Sequence, residues 1–210
     1  MSEGEEQIRI ACIGDSITFG FAFTNPEDSY PAVLQTQLGE DYEVRNFGNS
    51  GRCVIKSSRK EDEPRAYFYM KEHQAALDFK PHVVICNLGI NDLMDYDEKS
   101  AEFVPDYKEL LTEYRKLETN PRIIVWQKLA PLMEGQLFYG SKNVALINDG
   151  ISEVVKELNK QALNTDFQKI ETLDMSKPLA DEKYFLDDHL HPNELGAKKI
   201  AEVSYNYLNA

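Results

Sequence analysis

The chain has 210 residues, with 36 Asp and Glu against 23 Lys and Arg, so its formal net charge is −13. That length fits one domain with a substantial core, and 42 % apolar with 28 % charged residues is a globular composition, not a disordered one. Net acidity argues against nucleic acid and against membrane surfaces as partners, because both present phosphate to the protein.

Met1 to Gln7 are polar and acidic, the reverse of a signal peptide. Residues 1–7 are expected as a disordered tail and 8–210 as one domain. No apolar run reaches the ~18 residues of a membrane span. A cytoplasmic location is expected, with periplasm or secretion left open if a leader was removed. The oligomeric state leaves no mark in the sequence.

The first predicted element is a strand, Ile8–Ile13, followed by Gly14-Asp15-Ser16. A helix over Ser29–Leu38 follows, with Tyr30, Val33, Leu34 and Leu38 at helical spacing. The second strand is Tyr42–Phe47, running into Gly48-Asn49-Ser50-Gly51. Residues 52–64 are a polar loop holding Arg52, Lys56, Arg59 and Lys60. A helix is predicted over Arg65–Phe79. The third strand, His82–Leu88, leads into Gly89-Ile90-Asn91-Asp92. Then come a helix over Ala101–Leu117, a strand over Arg122–Leu129 and a helix over Val144–Leu163. The fifth strand is Lys169–Met175. Asp188-His189-Leu190-His191-Pro192 precedes the last helix, Asn193–Leu208, with Asn193 as its N-cap. Cys12 and Cys86 lie inside apolar runs and are predicted to be buried. Three cysteines with no CxxC spacing suggest no disulfide framework.

Strands and helices that alternate in this way imply a parallel α/β sheet covered by helices on both faces. Ligands of such sheets bind beyond the carboxyl ends of the strands, where the strand order reverses. The polar clusters stand at those ends. Acyl transfer needs a nucleophile, a base, a group that orients the base, and donors for an oxyanion. Ser16 sits at a strand-to-helix turn. Asp188 is spaced to reach Nδ1 of His191, leaving Nε2 for a serine, and Asp187, a four-residue step away, is the alternative. The backbone N–H groups of Ser16 and Gly51 and the side-chain amide of Asn91 are candidate oxyanion donors.

Other readings of these residues are weaker. Ser50 sits in a partial G-x-S-x-G pattern, but Arg52 replaces the second glycine. His189 and His191 lack a distant third ligand, so no metal is expected. Asp92 is expected to brace its loop or cap a helix, and Asp15 to hold the loop around Ser16. A flavodoxin-like FMN site would use Ser16, Thr18 and Gly20, but Asp15 opposes a phosphate there and no cation lies between Gly14 and Tyr30. No cofactor is expected.

The ordered blocks IGDSITFG, NFGNSG, LGIND and DHLHPNELG resemble the SGNH (GDSL-type) hydrolase family, from about residue 8 to residue 208. The resemblance implies a three-layer α/β/α, flavodoxin-like fold with a five-stranded parallel sheet. It implies a serine hydrolase working through an acyl-enzyme, with Ser16 as nucleophile and Asp188 and His191 completing the triad. Gly51 and Asn91 become oxyanion donors. The chain is also similar to bacterial carbohydrate and sialate O-acetylesterase-like members around WQKLAPLMEGQ and INDGI. That likeness points to short acyl groups, acetyl above all, on a small-molecule or glycan ester. A lysophospholipase or acyl-thioesterase of the same family is the alternative. Arg52, Phe138 and Tyr139 are candidate substrate contacts, on loops that flank the expected site.

Overall fold

The computed structural model describes residues 6–127, 141–163 and 165–210, with 141–143 described by backbone alone. Strand β1 (Ile8–Gly14) is followed at once by a four-residue helix, α1 (Ser16–Phe19), then by α2 (Tyr30–Leu38) and β2 (Tyr42–Gly48). A short hairpin, β3 (Arg59–Lys60) and β4 (Glu63–Pro64), interrupts the predicted polar loop. After it come α3 (Lys71–Asp78), β5 (Val83–Asn87), α4 (Tyr96–Arg115), β6 (Arg122–Gln127), α5 (Ser141–Ala162), β7 (Glu171–Asp174) and α6 (Glu194–Leu208).

The main sheet has the order β2-β1-β5-β6-β7, and every pairing is parallel. Counted among its own five strands this is 2-1-3-4-5, the flavodoxin-like order, with the reversal between β1 and β5. Side chains alternate across the sheet as a strand requires. Ile10 and Cys12 join Tyr30, Leu34, Ile85, Trp126 and Ile200 on the face covered by α2 and α6. Ala11 and Ile13 join Val84, Cys86, Val125, Phe103 and Tyr107 on the face covered by α3, α4 and α5. Both faces are therefore dry, which is why β1, β5 and β6 read as continuous apolar runs.

The two largest boundary shifts are at helix starts. The helix expected from Arg65 begins at Lys71, because Ala66 bridges to Cys53 of the preceding loop and Tyr67–Tyr69 form a 3-10 turn. Cys53 N–H donates to Arg65 O, and Tyr67 N–H donates to Cys53 O. The helix expected from Ala101 begins at Tyr96, where Asp95 O accepts from the N–H groups of Glu98 and Lys99. Residues 128 and 129 of the fourth predicted strand lie outside the described residues. So do residues 1–5 of the expected tail; Gln7 Nε2 donates to Glu40 O and Glu6 pairs with Arg9. Cys12, Cys53 and Cys86 are buried and unbridged. Burial pushes the Cys12 and Cys53 thiols up to about 12, so they are poor nucleophiles.

The register sets the strand ends level. Gly14 pairs with Gly48 on one side and Asn87 on the other. Helix α1 lies directly over these ends. A Cβ on Gly48 would collide with the backbone of Phe19, which cannot move alone. We expect Gly48→Ala to lose about 1–3 kcal/mol or more through overpacking. Urea unfolding of the purified variant measures this loss.

Candidate active site

Ser16 follows β1 and opens α1, whose N-cap is Asp15; the Asp15 carboxylate accepts from Ile17 N–H at 3.0 Å. The Ser16 hydroxyl lies 2.8 Å from His191 Nε2. His191 Nδ1 lies 2.6 Å from Asp188 Oδ2. The other Asp188 oxygen accepts two backbone bonds, from Leu190 and His191 N–H, each at 2.9 Å. The carboxylate thus folds its own turn and orients the imidazole in one arrangement. Partial burial alone would raise the Asp188 pKa. The hydrogen bonds from the His191 ring and from the backbone of His191 and Leu190 outweigh it, so the carboxyl is held below its usual value. Asp188 is therefore a carboxylate at neutral pH. The proton on the ring belongs at Nδ1, and Nε2 accepts from Ser16.

The histidine turn is tied down on both sides. Leu186 N–H donates to His191 O at 2.8 Å, and His189 adopts a left-handed φ of 55°. Asn193 caps α6 through Gly196 N–H, and its amide donates to Lys183 O and Phe185 O. The predicted N-cap therefore also locks the loop that carries His191.

Gly51 lies in the turn after β2 with φ 76°. A Cβ there would meet nothing within 4 Å, so glycine is required by backbone conformation and not by space. Asn91 lies in the short 3-10 turn Ile90–Met94, after Gly89 with φ 126°. One N–H of its amide donates to Arg52 O at 3.0 Å, which fixes the side chain and leaves the second N–H for a ligand. Asp92 braces the loop, as expected. Its buried carboxylate accepts from Val54 N–H at 3.0 Å and Ile55 N–H at 2.8 Å.

Of the predicted substrate contacts, Phe138 and Tyr139 lie outside the described residues. Arg52 is half-buried, and its guanidinium donates to Asn49 Oδ1 at 2.9 Å and Pro64 O at 3.1 Å. It thereby ties the Gly51 turn to the hairpin. With Gly51 and Lys60 it also lines a cavity of about 360 Å³. Lys56 pairs with Glu109 and Asp106, so the basic stretch is partly neutralised.

Two residues near the site were not singled out from sequence. Arg65 is buried and donates to Asn91 O, Ser58 Oγ and Asp95. It holds the Asn91 backbone from below. Phe21 sets its ring against His191, with centroids 4.5 Å apart. Among the described residues, no three His, Cys, Asp or Glu side chains are grouped to hold a metal. No helix among them is long and apolar enough to cross a membrane.

The model of the GDSL-like Lipase/Acylhydrolase family matches residues 12–199. The chain belongs to this family. That GDSL-like match takes in all four polar clusters around the strand ends. An acetylxylan esterase of Xylanibacter ruminicola is 33 % identical over 223 residues, covering 95 % of this chain and 42 % of that protein. An uncharacterized protein of Mycoplasma pneumoniae is 26 % identical, covering 92 % of this chain and 22 % of its own. The chain thus spans less than half the length of these curated relatives. Among solved structures, the native M. smegmatis aryl esterase superposes with a TM-score of 0.68 at 20 % identity, covering 96 % of this chain and 98 % of that one. The acetyl xylan esterase AlAXEase gives 0.70 at 18 % identity, covering 96 % and 100 %. A carbohydrate acetylesterase family member from Sinorhizobium meliloti gives 0.68 at 18 % identity, covering 96 % and 97 %. At these identities the likeness establishes the α/β fold that the five strands display.

Proposed function

We propose that this protein is a serine esterase that removes short acyl groups, acetyl above all, from a carbohydrate. The observation that carries the chemistry is the His191 ring, hydrogen-bonded to Asp188 at Nδ1 and to Ser16 at Nε2. The acetylxylan esterase relative supports the substrate class.

Ser16 Oγ attacks the ester carbonyl as His191 Nε2 takes its proton. Asp188 stabilises the imidazolium that forms. The tetrahedral oxyanion is held by the N–H groups of Ser16 and Gly51 and by the free N–H of Asn91. The C–O bond to the leaving alcohol breaks, and His191 gives that oxygen its proton. Water, deprotonated by His191, then attacks the acetyl-Ser16 ester. Acetate leaves and Ser16 recovers its proton.

Fluorophosphonate labelling tests the nucleophile: the adduct is expected on Ser16, and an adduct elsewhere rejects the assignment. Rates on p-nitrophenyl acetate, butyrate and octanoate test the acyl group. They are expected to fall with chain length, and a preference for octanoate would reject the acetylesterase reading.

Asn91→Ala is expected to fold and to lose about 10²–10³ in kcat, the usual effect of removing one oxyanion donor. The amide also holds Arg52 O, so about 1 kcal/mol of stability goes with it. Initial rates and a thermal melt on the same sample separate the two effects.

A further inference from the structure

Phe21 is an apolar side chain that stays 46 % exposed beside the site. The backbone works to keep it there. Gly20 before it is the left-handed C-cap of α1, with φ 88°, and Ala22 after it has φ 74°. A left-handed alanine is strained, and strain of this kind persists only where the surrounding structure imposes it. The Phe21 N–H is anchored to Ser16 O at 2.9 Å, so the backbone that carries the ring is fixed relative to the nucleophile's own. One part of the ring meets the His191 imidazole, tilted by 39°. The rest faces solvent.

The chemistry says what lies beside His191. In the proposed reaction this ring delivers a proton to the leaving oxygen, so the leaving alcohol must sit against Nε2. The acyl group lies on the side of the oxyanion donors. A flat apolar ring that borders His191 and is open to solvent therefore borders the leaving group. A pyranose offers such a ring a matching surface, because its axial C–H bonds carry partial positive charge toward the negative π face. Resting on the proposed esterase reading, we infer that Phe21 is the platform on which the sugar of the leaving alcohol lies. It is a specificity determinant for a pyranose leaving group.

The test compares two acetate esters with different alcohols: a mono-acetylated methyl β-xyloside and ethyl acetate. Phe21→Ala is expected to lower kcat/KM on the xyloside about five- to tenfold more than on ethyl acetate, the range of one ring contact. Phe21→Trp, which keeps a flat ring, is expected to restore most of the difference. An equal loss on both esters would show that Phe21 only steadies His191, and would overturn the platform. So would an unchanged ratio, or a shift in acetate-against-butyrate preference, which would place the ring at the acyl group. Fluorophosphonate labelling of Ser16 is run in parallel. A wild type that neither labels at Ser16 nor cleaves ethyl acetate defeats the esterase reading itself, and the platform falls with it. A protein that does both but shows no Phe21 effect defeats only the platform.

Discussion

Ser16→Ala is expected to lower turnover of p-nitrophenyl acetate by about 10⁴–10⁶-fold while the protein stays folded. The size follows from the geometry. The Ser16 hydroxyl is the group that His191 Nε2 meets at 2.8 Å. Without it the imidazole has no nucleophile to activate, and water is not held in its place. What survives is binding and the oxyanion donors, because the Ser16 N–H is untouched by the change. The fold does not depend on the hydroxyl. Helix α1 is capped by Asp15, and the Ser16 carbonyl still accepts from Gly20 and Phe21 N–H. Burst kinetics, fluorophosphonate labelling and a thermal melt check the three parts together. A variant that keeps the wild-type rate would remove Ser16 from the mechanism.

Acid should act on the same contact from the other side. The Ser16–His191 contact depends on the Asp188 carboxylate, which orients the ring. Asp188 is the group on which acid acts. Its folded-state pKa is depressed, so its contribution to stability is present above the unfolded carboxyl value and is lost as pH falls through the folded one. Activity is therefore expected to fall together with the histidine turn as Asp188 is protonated, and pH–rate and pH–melting profiles on one sample check that the two track each other.

The strands were readable because both sheet faces are covered. Burial on both sides makes β1 and β5 apolar runs with little alternation, and their ends mark where the chemistry-bearing loops begin. The choice between Asp187 and Asp188 was not settled by spacing alone. It is decided by a turn in which one carboxylate takes two backbone N–H groups and the ring. Arg65 was illegible for a different reason. It stands at the end of a polar stretch that reads as solvated, yet it is buried because its partners, Asn91 and Asp95, are 26 and 30 residues away. Tertiary contacts of that range leave no local pattern. Phe21 was equally silent, since an exposed aromatic and a core aromatic look alike in sequence. Gly51 could be picked out as a candidate donor, but the reason that glycine stands there, a left-handed φ of 76°, shows only in the structure.

The second large effect is expected at Asp92, a residue buried beside Asn91. Asp92→Ala should cost about 3–5 kcal/mol of stability, because two buried backbone N–H groups lose their acceptor. Those groups, on Val54 and Ile55, have no water to turn to, for both residues are buried and Asp92 is 1 % exposed. A loss of this size is a large fraction of an ordinary domain's stability. The loop so released is the one that carries Arg52, whose carbonyl fixes the Asn91 amide. Activity should therefore drop further than the unfolded fraction explains. Asp92→Asn separates the two. Its amide oxygen in the place of Oδ1 can still accept from both N–H groups, but its NH₂ puts donors where Oδ2 accepts a second bond from Val54 N–H. It should lie between wild type and alanine in urea midpoint. Its kcat at a temperature where it is fully folded reports on the oxyanion donors alone. If Asp92→Ala unfolds at the wild-type urea concentration, the bracing role is wrong. If the folded asparagine variant keeps full kcat, Asp92 supports the fold without setting the position of Asn91.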